Sequence, residues 1–377
     1  MPLAAHHEQI RDAVRRFARE RLAPNAAHWD REKLFPRAEI AGLAQMGLCG
    51  VAIPEEWDGA GLDYTALAIA IEEISAGEGA TGTIIAVTNL AAGIVHGYGS
   101  AAQKEKFLRP LARGERLGAF ALTEPQAGSD AAAISCRAEP TGGEYVLNGV
   151  KQFITSGKTA DLAIVFAVTD RSAGKKGLSA FVVPTSTPGY VVARIEEKAG
   201  QRASDTAQIV LENCRVPAES RLAEEGLGYR IALANLESGR INIAAQAVGM
   251  ARAALEAALA YARERKSFGK RLIEHQAVNF RLADMATSVE AARQLYLHAA
   301  QLRDAGVPCL KEASMAKLFA SEMAERVCSD AIQIHGGYGY VSDFPVERIW
   351  RDVRVCKIYE GASDIQRLVI GRALEEA

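Results

Sequence analysis

The 377-residue chain reads as an α+β protein of three consecutive parts: a helical N-terminal domain (1–117), a compact barrel-like β-domain (118–225) and a C-terminal four-helix bundle (226–377). Three observations predict this order. Apolar residues recur at helical spacing from about His7 to Leu117; short apolar runs separated by turn residues fill Gly118 to Glu225; helical stripes return beyond Gly228.

In the first part Ile10, Val14 and Phe17 recur at spacings of four and three, and Ser100 with Gln103 forms a candidate capping box. Arg113-Gly114, before Leu117-Gly118, marks the first transition. In the second part Asn148-Gly149 is a hairpin signal, Leu162 to Val168 is a continuous apolar strand, and Pro188-Gly189 separates the extended runs Phe181–Val183 and Tyr190–Val192. Pro217 to Ser220 and Glu224-Glu225-Gly226 mark the second transition. In the third part Leu282, Met285, Val289, Ala292 and Tyr296 trace a stripe that belongs in a bundle core.

A chain that is 49% hydrophobic buries a sizeable core. Lys and Arg number 44 against 46 for Asp and Glu, so no basic stripe invites nucleic acid. The six cysteines carry no Cys-x-x-Cys and the seven histidines no zinc-like spacing, which predicts a reduced compartment and no metal. No apolar signal core opens the chain and no run of about 18 apolar residues stands out, so the expectation is a cytoplasmic protein without membrane insertion.

Chemistry concentrates in three segments. Tyr359-Glu360-Gly361-Ala362-Ser363-Asp364 sets one acid at a tight break before the last helix, with first-turn amides beside it; the residues alone allow either a base or a solvated charge before a cap. Gln333-Ile334-His335-Gly336-Gly337 closes a long helical run, and reads as a C-cap turn or a close backbone approach to a ligand. Leu122-Thr123 through Gly128-Ser129 is a hydroxyl- and glycine-rich loop leaving a small apolar strand. No P-loop pattern and no Gly-x-Gly-x-x-Gly is present.

Taken in order, these segments resemble the acyl-CoA dehydrogenase family along nearly the whole chain, with Lys151 to Gly157, Arg265 to Gly269 and His275-Gln276 as further matches in register. The resemblance implies a tightly bound FAD and α,β-dehydrogenation of an acyl-CoA thioester. Glu360 is then the base for the α-proton, its backbone N–H helps bind the thioester carbonyl, and electrons pass to an electron-transferring flavoprotein. It places Phe120, Leu122, Thr123, Gly128 and Ser129 along one side of the flavin, and Phe153, Ile154 and Thr155 along the other. Arg265, Ser267, Phe268, His275 and Gln276, with the backbone of Gln333, Ile334, Gly336 and Gly337, are matched to a neighbouring subunit's FAD in a homotetramer built as a dimer of dimers. Ala362, Ser363 and Asp364 fall near the adenosine diphosphate portion.

On the substrate side the resemblance assigns Ser129 to pantetheine, Arg240 to the CoA adenine or 3′-phosphate with Glu237 one turn before it, and Tyr359, Gly361 and Arg372 to further contacts. Gly239 occupies the place where relatives that carry the base on the long helix, as isovaleryl-CoA dehydrogenases do, have an acid, which leaves the role with Glu360. Phe153 stands where many relatives have Trp, and Ala362 where many have Thr. The nearest resemblance is to short-chain and short-branched-chain members. Competing readings are an acyl-CoA oxidase that uses O2, a flavin monooxygenase that needs no Glu360, and a flavin-binding nucleic-acid protein on the same fold, which the net charge of -2 disfavours.

Overall fold

The computed structural model describes residues 3–375. The helical part contains α1 (Ala5–Phe17), α2 (Ala26–Glu32), α3 (Arg37–Gln45), α4 (Tyr64–Gly77), α5 (Gly79–Tyr98) and the short α6 (Ala101–Gln103) and α7 (Arg109–Ala112). Glu78 alone joins α4 to α5, and it also caps α5 by accepting from Ala80 N at 3.1 Å and Thr81 N at 2.6 Å. The Ser100–Gln103 capping box forms.

The strands are β1 (Gly118–Ala121), β2 (Arg137–Thr141), β3 (Glu144–Thr155), β4 (Leu162–Val168), β5 (Leu178–Pro184), β6 (Tyr190–Ile195), β7 (Thr206–Pro217) and β8 (Arg221–Leu222). They form one sheet in the order β6-β7-β3-β2-β4-β5-β8, with β1 parallel to β4 at Phe120↔Ile164. The path runs from β6 to β8 without closing. Every residue of β4 is buried, as its unbroken apolar run requires of a strand covered on both faces.

Asn148-Gly149 corrects the sequence expectation of a hairpin. It lies inside β3 at a bulge, where Gly149 has φ +156 and Asn148 Oδ1 accepts from Asn213 N at 2.8 Å. Gly142 and Gly143, with φ +59 and +90, make the turn between β2 and β3, because both of its central residues need positive φ.

The C-terminal part comprises α8 (Gly228–Glu264), the ribbon β9 (Lys266–Ser267) and β10 (Lys270–Arg271), α9 (Gln276–Asp304), α10 (Leu310–His335), α11 (Val346–Val353) and α12 (Ser363–Glu375). All five residues of the predicted α9 stripe are buried. Two helices, α5 and α8, are long and apolar enough by length and composition to cross a membrane, which overturns the expectation that no such segment exists. Ile, Val and Leu interspersed with Gly and Thr carry that hydropathy in α5, and alanines carry much of it in α8, so neither helix holds an unbroken apolar run. Both helices pack inside the protein, with 83% and 67% of the relevant windows buried.

Helices from opposite ends of the sequence share one core. Glu72 on α4 meets Arg252 Nε of α8 at 3.1 Å, Arg293 Nη2 of α9 at 2.9 Å and the Tyr296 hydroxyl at 2.6 Å. Asp304, closing α9, accepts from Tyr64 N at 2.7 Å and Thr65 N at 3.0 Å at the start of α4. All six cysteines are free and buried. His6 and His7 do converge on Asp63, with His7 Nε2 2.9 Å from the carboxylate, a cluster that sequence spacing did not anticipate.

Candidate active site

Glu360 sits between the turn that follows α11 and the start of α12, in left-handed backbone at φ +54, followed by Gly361 at φ +90. Two consecutive residues in that region are strained for any side chain but glycine and persist only where surroundings hold them. The Gly361 carbonyl supplies the hold: it accepts from Gln366 Nε2 at 2.8 Å and from Lys317 Nζ at 2.7 Å. Gln366 Nε2 also reaches the Glu360 carbonyl at 3.2 Å.

The Glu360 residue is partly exposed, yet its carboxyl points inward and Oε2 is buried without a hydrogen-bond partner. It faces Gly239 on α8, where an added Cβ would overlap Oε2. Burial pushes its pKa up to about 7, with the charges of Arg240 and Lys317 pulling the other way. A carboxylate that is desolvated and not hydrogen-bonded is suited to receive a proton, because nothing stabilises its anion except nearby charge.

Arg240 is buried between α8 and α10 with Nη1 3.3 Å from Ser314 Oγ, and its charge bears on Glu360. Glu237 is held by Arg303 Nη1 at 3.2 Å. The Tyr359 hydroxyl turns into the interior, donating to Gln246 Oε1 and accepting from Gln201 Nε2 at 3.3 Å, which gives it a buttressing place below Glu360. Ser363 is buried and its hydroxyl donates to Glu322 Oε1 at 2.8 Å; Asp364 is exposed and pairs with Arg367 Nη1 at 2.9 Å. Gly361 and Ala362 flank the break, and Arg372 is exposed on α12.

A second cluster joins the loop after β1 to β3. Lys151, wholly buried, donates to Glu124 Oε1 at 2.8 Å and to the Leu122 carbonyl at 3.1 Å, while Gln152 N donates to Thr123 O at 2.8 Å. Glu124 also accepts from Ser135 N and Cys136 N, so one buried ion pair ties the Leu122–Ser129 loop to the strand carrying Phe153. Leu122 and Ile154 are buried; Phe120, Thr123 and Thr155 are half-buried; Gly128 and Ser129 are exposed. Sequence reading missed this pair, although a lysine and a glutamate within otherwise matched segments were its signal.

A third cluster lies at the β9–β10 ribbon. Arg265 stands over the Tyr338 ring at 5.8 Å, which brings the Arg265–Gln276 segment together with the Gln333–Gly337 turn. Phe268 is 96% exposed, His275 Nε2 lies 3.0 Å from Ser267 O, and Gln276, Gln333, Gly336 and Gly337 are exposed while Ile334 is buried. A separate cleft of about 480 Å3 opens between α4, α5 and α8, lined among others by Leu67, Gly93 and Asn235, one turn before Gly239. None of the predicted site residues lines it.

Models of the acyl-CoA dehydrogenase N-terminal, middle and C-terminal domains match residues 4–115, 119–214 and 226–375. The chain belongs to the acyl-CoA dehydrogenase family. It is 48% identical over 365 residues to the mitochondrial short-chain specific acyl-CoA dehydrogenase of Mus musculus, spanning 97% of this chain and 89% of that one. Butyryl-CoA dehydrogenase from Megasphaera elsdenii superimposes with a TM-score of 0.97 at 39% identity, covering 100% of this chain and 99% of the other. A chain from a structure described as the electron transferring flavoprotein of Acidaminococcus fermentans gives 0.99 at 43% identity, with full coverage of both.

This acyl-CoA dehydrogenase family member is an oxidoreductase with FAD as cofactor. Its residues fit that group: Phe153 holds a 63% exposed aromatic ring outward from left-handed backbone at φ +59, beside the half-buried Thr123 and Thr155. A strained, exposed aromatic next to a pinned polar loop is poorly explained by packing within the chain and suits a flat ring system.

Proposed function

We propose that this protein dehydrogenates short acyl-CoA thioesters at Cα and Cβ, with Glu360 as the base. The observation that carries the reading is the inward Glu360 carboxyl, buried, unpartnered at Oε2 and raised in pKa to about 7. Glu360 takes the α-proton onto its carboxylate, and its own backbone N–H is the donor available to the thioester oxygen as charge develops there. The chemistry FAD supplies when bound is acceptance of the β-hydrogen with its electron pair. Phe120, Thr123, Phe153 and Thr155 would hold its ring, and the Lys151–Glu124 pair fixes the two segments that carry them. The short-chain preference rests on the named relatives, as does passage of electrons to an electron-transferring flavoprotein. A homotetramer in which the Arg265–Gln276 segment serves a neighbour is the reading that accounts for the exposed Phe268.

The test is anaerobic addition of butyryl-CoA to the FAD-loaded protein, with flavin bleaching as the readout. Glu360→Gln is expected to retain FAD and acyl-CoA while bleaching slows by about 10²–10⁴-fold or more, since a general base contributes on that order. Bleaching within a few-fold of wild type moves the base elsewhere. Prompt reoxidation by air at the rate of turnover would favour the oxidase reading.

A further inference from the structure

We propose that Lys317 is a positioning residue for the base: its ammonium anchors the carbonyl next to Glu360 and acts as a buried fixed charge that sets how readily Glu360 takes up a proton. This rests on the reading of Glu360 as the base.

Lys317 lies within the buried stripe Ala313, Ala316, Ala320, Ala324 and Val327 of α10, where packing alone calls for an apolar side chain. A buried ammonium is costly unless its protons and charge find partners. Its hydrogen bond goes to Gly361 O at 2.7 Å, and it forms no ion pair among the described residues. The charge is therefore left to act across space on what surrounds it. From α8 comes Arg240, from the break before α12 Glu360, from the turn after α11 Cys356, and from α10 itself Glu322.

These neighbours are not equivalent. Glu322 is already engaged by Lys357 Nζ at 2.7 Å and by the Ser363 hydroxyl. Burial pushes the Cys356 thiol up to about 12, so it stays neutral. Arg240 is a second cation, held to Ser314 with its Nε unpartnered. Glu360, with no hydrogen bond to Oε2, is the one neighbouring anion without another cation bound to it. Burial draws the Lys317 pKa down to about 8 and the Glu360 pKa up to about 7, and the attraction between them opposes both shifts. Removing the lysine charge withdraws support from the carboxylate, so the Glu360 pKa rises further; an opposite charge at close range typically shifts a carboxylate by about 1–3 units.

The experiment compares Lys317→Gln and Lys317→Arg, each FAD-loaded, by the pH dependence of kcat/KM for butyryl-CoA, which reports ionisation of the free enzyme. Gln keeps a donor for Gly361 O without charge; Arg keeps the charge. The acid limb is expected about one pH unit higher in Lys317→Gln and within about 0.3 of wild type in Lys317→Arg, whatever either does to the plateau. A limb unmoved in Lys317→Gln overturns the proposal while leaving the Glu360 reading intact. A limb that survives in Glu360→Gln removes that reading and the proposal with it. If the Lys317 variants do not fold, reciprocity supplies the check: in ¹³C-labelled lysine NMR spectra, Lys317 should lose its proton about one unit earlier in Glu360→Gln than in wild type. An unchanged titration there counts equally against it.

Discussion

Gly239 and Glu360 are 121 positions apart in sequence and in contact in the fold, which makes residue 239 the most sensitive probe of where the carboxyl points. Gly239→Ala should displace Oε2 without unfolding α8, because the overlapping atom is the flexible end of a side chain. A misplacement of about 1 Å can cost on the order of 10²-fold, so stopped-flow flavin reduction should fall about 10–10²-fold with the melting temperature nearly unchanged. Protonation gives a second residue-scale prediction. Glu360 and Asp352 both have pKa values raised to about 7, chiefly by burial. A carboxyl with a raised folded pKa contributes stability that is complete below the unfolded value near pH 4–5 and is lost as pH rises through about 7. Thermal stability should therefore decline from pH 5 to pH 8, and Glu360→Gln should flatten that decline, with Asp352 responsible for part of what is left. Glu360 by itself reads equally as a solvated charge before a cap, and it stands out in the sequence only because several other segments match one family in the same order. The burial of Lys317 and Arg240 is not legible there, because it depends on how α10 meets α8 and the break before α12, which local sequence pattern does not specify.

At the level of strands and loops, the Lys151–Glu124 pair carries the prediction. Both side chains are essentially inaccessible, so Lys151→Met leaves a buried carboxylate uncompensated and should destabilise by about 3–5 kcal/mol in chemical denaturation, with weakened FAD retention. Adding Glu124→Gln to Lys151→Met should recover much of that loss; a double variant as unstable as the sum of the singles would show that the two do not interact. The strands show where sequence patterns suffice and where they do not. β4 was visible as Leu162 to Val168 because burial on both faces imposes an unbroken apolar run, and the α9 stripe because one face imposes a period. Asn148-Gly149 looked like a turn because a bulge and a hairpin ask for the same backbone freedom, and only the pairing of β3 with β7 distinguishes them.

At the scale of the whole molecule, Phe268 at 96% exposure and Tyr340 at 86% are large aromatic rings with no cover in the chain. Sedimentation is expected to find four copies associated, and Phe268→Ser to yield smaller species that lose FAD; a wild-type monomer with full FAD content would refute the assembly. Another consequence follows from the way Asp304 caps α4 and from the arginines of α8 and α9 that surround Glu72. The helices before the sheet and those after it are distinct in sequence but not in energy. Buried Glu72 of the first half finds its counter-ions in the second, so limited proteolysis between them should release no stable fragment, and heating should melt both in one cooperative step. Contacts between residue 72 and residues 252 and 293 span large sequence separations. The chain must close loops of about two hundred residues before Glu72 has a counter-ion, a topology that slows folding and leaves apolar surface exposed in intermediates.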